Sequence, residues 1–108
     1  AEIGADRMAG YYDVAADKID SYSAYICGSG AYPDEIAVFK MKSADDVNAV
    51  KSVLEKRVES QSTAFKDYTP DEMYKIDGNN VVTSGNYVAL IICADNAKAI
   101  EDFKAMAK

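Results

Sequence analysis

Arg57, Gln61 and Phe65 stand four residues apart, and Tyr68 and Pro70 follow them. On a helix that spacing makes one row. The row borders an apolar stripe of Val50, Leu54 and Val58, so its polar members sit at the edge of a core. A guanidinium there must find acceptors for five donors. Most side-chain hydrogen bonds go to backbone, so the expectation is that Arg57 and Gln61 bond carbonyls of a connecting loop and hold the Tyr68 corner in place. The alternative is that Arg57, Gln61, Phe65 and Tyr68 form an anion site, with the planar Arg57 fork holding a carboxylate- or phosphate-bearing ligand.

Other chemistry is thinly represented. The 108 residues include no histidine, which removes the commonest general base and metal ligand. No Ser-x-x-Lys or Gly-x-Ser-x-Gly pattern offers an activated nucleophile. Cys27 precedes Gly28-Ser29-Gly30, but two glycines there are what a hairpin connection needs. Gly28-x-Gly30 leads into a strand rather than a helix, so it is no phosphate loop. Asp77-Gly78-Asn79-Asn80 lacks the spacing of a calcium loop and reads as a turn. The carboxylate pairs Asp45-Asp46 and Asp71-Glu72 fall in first turns of helices, where negative charge is favourable; Asp34-Glu35 is the third pair. Cys27 and Cys93 match no zinc or Cys-x-x-Cys spacing and read as half-buried strand residues, with a disulfide as the alternative. Expected catalytic residues, cofactor-binding residues and metal ligands are therefore none.

The balance of the chain sets further bounds. Twelve basic and eighteen acidic residues leave a net charge of −6, unfavourable for nucleic acid or anionic lipid. An apolar fraction of 49% with 28% charged residues is that of an ordinary globule, and the whole chain, 1–108, reads as a single domain. No apolar run is long enough to span a bilayer. Eight tyrosines against three phenylalanines and no tryptophan is the one unusual count, since tyrosine suits half-buried positions and recognition surfaces.

The elements that must position these residues follow from periodicity. Glu2 to Tyr12 has helical spacing, extending in broken form towards Lys18. Ile19 to Cys27 and Glu35 to Lys42 alternate as strands, with Ile36, Val38 and Lys40 on one face and Ala37, Phe39 and Met41 on the other. Ser43 N-caps a long helix, with Asp46 at the reciprocal position, ending near Lys66. Thr69 and Glu72 form a capping box around Pro70 for a short helix to Ile76. Val81 to Thr83 is a short strand, and Ser84-Gly85-Asn86 turns the chain into Tyr87 to Ala94. Both faces of that last strand are apolar, which places it centrally. Asp95 caps a final helix. The expected fold is α+β: two successive ββα units after an N-terminal helix, as a two-layer sandwich of a four-stranded, mainly antiparallel sheet with helices packed on one face. If Tyr25, Tyr87 and Cys93 share the face without helices, then Tyr25, Tyr87 and Ile91 are a candidate interaction surface.

Glu35-Ile36-Ala37-Val38-Phe39-Lys40, the set Arg57, Gln61, Phe65, Tyr68 and Pro70, and Ser84-Gly85-Asn86-Tyr87-Val88 together resemble an uncharacterised domain-of-unknown-function family. Its members are secreted, often lipid-anchored proteins of Gram-positive bacteria. The resemblance covers about Asp20 to Lys104. It implies an extracytoplasmic, cell-envelope location, with a signal peptide or lipid anchor removed ahead of Ala1. It brings no enzymatic activity or cofactor with it. The resulting expectation is a non-catalytic domain that binds or scaffolds a protein or glycan at the envelope, with no nucleic-acid partner and no membrane insertion of this segment. The alternatives are an enzyme or accessory in envelope polysaccharide modification by acyl transfer, and a small inhibitor-like or propeptide-like module.

Overall fold

A computed structural model describes residues 11–27 and 32–107. Strands β1 (Ile19–Ile26), β2 (Glu35–Met41), β3 (Val81–Ser84) and β4 (Tyr87–Ile92) form one sheet in the order β1-β2-β4-β3, every pairing antiparallel. Helix α1 (Val47–Phe65) follows β2, and helix α2 (Asn96–Met106) follows β4. The expected antiparallel α+β sheet is present, and Tyr87–Ile92 is an interior strand. The expected N-terminal helix falls almost wholly outside the described residues; Ala16–Lys18 is a single 3₁₀ turn.

Alternation decides what each face carries. Ala24 of β1, Ala37, Phe39 and Met41 of β2, and Val88, Leu90 and Ile92 of β4 face α1, which supplies Val47, Val50 and Leu54. Phe39 anchors this layer, with the Tyr12 ring edge-on at 5.5 Å and the Tyr22 ring stacked at 6.1 Å. Burying each large side chain here contributes roughly 1.5–3 kcal/mol.

The opposite face is covered as well, which corrects the expectation of helices on one face only. Ala89 and Ile91 pack against Phe103 and Ala107 at the C-terminal end of the chain, with Val38, Val82 and Tyr87 at the margin. The reason lies in β4, whose two faces are both apolar, so a helix on one side would leave Ala89 and Ile91 wet. The α2 helix covers β3 and β4, while Ser21, Ser23 and Tyr25 of β1 stay exposed on that face.

Chain punctuation follows the sequence with two differences. Gly85, at φ 57°, opens the two-residue turn joining Ser84 to Tyr87. Asp95 Oδ1 accepts from Lys98 N–H at 3.1 Å and caps α2 as expected. Ser43 Oγ accepts from Asp45 N–H at 3.2 Å, but the first turn is 3₁₀ and the Asp46 carboxylate reaches Lys18 Nζ at 3.4 Å instead of closing a box. Thr69 makes no cap either. Pro70–Lys75 is a 3₁₀ segment, the Thr69 hydroxyl is buried without a partner, and Glu72 bonds Lys75.

Val88 is fully buried beneath α1. Val88→Asp should therefore cost more than about 3 kcal/mol, because it leaves an unpaired charge in the core. Urea titration checks this, and a midpoint close to wild type would contradict it.

Candidate functional site

Two polar clusters are built around consecutive carboxylates, Asp34 and Glu35. Strand alternation sends them to opposite faces at the start of β2.

Glu35 points under α1 and its side chain has 0% exposure. The strand runs away from Glu35 to Met41, and α1 then runs back, so Arg57 and Gln61 return to its level. Arg57 Nη2 donates to Glu35 Oε1 at 2.8 Å, and Arg57 Nε lies 3.2 and 3.1 Å from Oε1 and Oε2. Tyr12 donates its hydroxyl to Oε2 at 2.6 Å. Gln61 Nε2 donates to Oε1 at 3.4 Å and to the Pro33 carbonyl at 3.5 Å. The guanidinium also lies 5.4 Å over the Tyr11 ring. Burial alone would draw the Arg57 pKa down, but the Glu35 bonds and charge more than offset this and push it up. Burial, reinforced by Glu35, pushes the Tyr12 phenol far above its usual range.

The four-residue row is thus divided. Arg57 and Gln61 meet inside the chain, on a carboxylate more than on loop carbonyls. Phe65 is half-buried at the end of α1, and Tyr68 is 69% exposed. Neither lines the open depression of about 280 Å³ that Arg57 shares with Tyr11, Asp13, Val53, Lys56 and Ser60. The expected interaction surface divides too. Ile91 lies buried under α2 and Tyr87 packs edge-on against Phe103 at 6.4 Å, because α2 covers that half of the face; Tyr25 stays exposed.

The second cluster centres on Lys75, which sequence reasoning did not single out. Its ammonium donates to Asp34 Oδ1 at 2.7 Å and to Glu72, and lies 5.3 and 5.8 Å from the Tyr32 and Tyr74 ring centroids. Only 8% of the side chain is exposed. Burial works against the charge, but Asp34 and Glu72 outweigh it and raise the Lys75 pKa, which favours the protonated ammonium. The backbone beneath is latched: Asn80 Nδ2 and Asn96 Nδ2 both donate to the Lys75 carbonyl at 2.7 Å. Asn80 also donates to the Ile91 carbonyl at 2.8 Å, and Asn96 Oδ1 accepts from Cys93 N–H at 2.8 Å. The available signal was Glu72 three residues before Lys75, a spacing that pairs opposite charges on a helical turn.

Beside Asp34 is a shallow depression of about 250 Å³ lined by Tyr25, Cys27, Ile36 and Cys93. Both cysteines are free. They flank β2 on opposite sides, since Cys27 N–H bonds the Asp34 carbonyl and Ile92 pairs with Glu35. Two strand spacings, ~10 Å, exceed the reach of a disulfide. Burial pushes the Cys93 thiol up, which disfavours the thiolate. Among the described residues no group of three His, Cys, Asp or Glu side chains could hold a metal ion, and no helix is long and apolar enough to cross a membrane. The exposed tyrosines gather at this end. Tyr25, Tyr32, Tyr68 and Tyr74 are 48% to 69% exposed, and each lies on β1, the approach to β2, or the segment after α1.

Tyr12, Arg57 and Lys75 all have raised pKa values, so the folded chain holds these protons more tightly than the unfolded one. The stability they contribute is complete below the ordinary values of 10.0 for tyrosine and 10.5 for lysine, and is lost as pH rises above them. Urea stability should hold up to pH 9.0, where the half-buried Cys93 thiol begins to add to the loss, and fall more steeply beyond pH 10.0. Tyr12→Phe should cost about 1–3 kcal/mol at neutral pH, by leaving Glu35 a bond short, and should make the alkaline fall shallower. Arg57→Lys should cost about 1–3 kcal/mol, since an ammonium cannot reproduce the fork. Unchanged urea midpoints for these two variants would contradict the buried network.

Among curated proteins and solved structures, nothing matches this chain. Residues 1–93 match the family described as a domain of unknown function, DUF4358, and the chain belongs to that family.

Proposed function

We propose that this chain is a non-catalytic recognition module that works outside the cytoplasm at the cell envelope, presenting its tyrosine-rich end to a protein or glycan partner. The observation that carries the reading is the gathering of Tyr25, Tyr32, Tyr68 and Tyr74, all strongly exposed, at one end of the sheet. Tyrosine at a recognition surface supplies a large rigid area and a hydroxyl at little entropic cost. The scaffold beneath is stiff, since Asn80 and Asn96 pin the Lys75 backbone between β4 and α2. The ionisable groups support binding over catalysis. Lys75 is held protonated, Cys93 is disfavoured as thiolate, and Arg57 is spent on Glu35. The envelope location rests on the sequence resemblance alone.

The test is retention of envelope components on immobilised protein. Tyr32→Ser and Tyr74→Ser should each weaken retention by about tenfold, as loss of an aromatic anchor does, while leaving the urea midpoint near wild type. Full retention by the double variant would exclude this surface. Fractionation of cells carrying the tagged natural gene should place the product in the envelope, and a cytosolic product would overturn the location.

A further inference from the structure

We infer that the tyrosine-rich end receives a basic segment of a partner polypeptide, with an apolar side chain seated in the depression between β1, β2 and β4. The inference rests on the recognition reading above and names its partner.

Three observations converge on a polypeptide cation. The depression beside Asp34 is walled by Tyr25, Cys27, Ile36 and Cys93, whose rings, methyls and thiols suit an apolar side chain better than a hydroxylated sugar. The charge around it is one-sided. Asp34, Asp67, Asp71, Glu72, Asp77 and Asp95 stand against Lys66, Lys75 and Lys98, the last of them paired with Asp102, so carboxylates outnumber ammonium groups at this end. The polar groups nearest the rings are already committed to each other: Lys75 bonds both Asp34 and Glu72. A sugar hydroxyl would have to compete with those charge-assisted bonds. A lysine or arginine need not, because the field of uncompensated carboxylates attracts it at longer range. The Tyr32 and Tyr74 rings, both about half exposed or more, offer such a cation a π face beside the one that Lys75 uses. The same negative field disfavours nucleic acid and anionic lipid at this end.

The experiment follows amide shifts of the isotope-labelled chain as three probes are added. They are a short peptide of Lys-Leu-Gly repeats, its Gln-Leu-Gly counterpart, and cellohexaose as a neutral glycan. The lysine peptide should shift Tyr25, Asp34, Ile36 and Tyr74, with affinity falling as salt rises; the glutamine peptide should not. Asp67→Asn with Asp71→Asn should weaken the lysine peptide by about fivefold, whereas Asp45→Asn with Glu101→Gln, exposed carboxylates elsewhere, should not. Equal weakening by the two pairs would reduce the effect to net charge and overturn the inference, as would shifts centred away from this end. Cellohexaose shifting these residues where the lysine peptide does not would also overturn it. Retention of an envelope component through Tyr32 and Tyr74, with no response to the lysine peptide, would overturn this inference and leave the recognition reading standing.

Discussion

A carboxylate with no solvent exposure lies where β2 begins, and the arrangement around it is what keeps that charge affordable. Moving an ion out of water costs several kcal/mol even after relaxation. Glu35 offsets this with the Arg57 fork, the Tyr12 hydroxyl and the Gln61 amide. These partners come from two directions, Tyr12 from the segment before β1 and Arg57 and Gln61 from α1. The pair therefore sets how far α1 slides along the sheet and ties the incoming chain to the core. Apolar packing under α1 would tolerate small slips among Val47, Val50 and Leu54; a bidentate ion pair in low dielectric tolerates far less.

The neighbouring carboxylate extends the logic to the other side. Asp34 is one residue earlier and so faces away from Glu35, towards Lys75. A single dipeptide thus fastens α1 on one face and the 3₁₀ segment Pro70–Lys75 on the other. The exposed tyrosines stand around this doubly fastened point. That rigidity matters for recognition, because rings held in place lose little freedom when a partner arrives. The two clusters differ in what they leave over. Glu35 and Arg57 neutralise each other and face inward, whereas Lys75 is outnumbered by the carboxylates around it and the surplus negative charge faces solvent.

Much of the fold was legible. Alternation located β2 and β4, the two apolar faces of Tyr87–Ile92 marked an interior strand, and the turn at Gly85 and the cap at Asp95 stood where local rules put them. The second helical layer was implicit in the apolar Ala89 and Ile91, but which helix covers which face depends on chain crossings that periodicity does not encode. The caps at Asp46 and Thr69 went astray because 3₁₀ turns aim their N–H groups differently from an α-helix. The site was less legible. Tyr12 and Arg57 stand 23 and 22 residues from Glu35, on either side of it, beyond any local pattern. One signal was present: Glu35 shares an alternating face with Ala37, Phe39 and Met41, and a carboxylate on an apolar face requires a partner. Lys75 and Asp34 are 41 residues apart, and only the folded sheet brings them together.

The claim that the Glu35–Arg57 pair organises the molecule is tested most directly by a double-mutant cycle on Glu35→Gln and Arg57→Met, read by urea denaturation. A close, desolvated pair predicts a coupling energy of about 2 kcal/mol or more, with the double variant more stable than the sum of the single losses allows. Additive losses, with coupling near zero, would contradict the account.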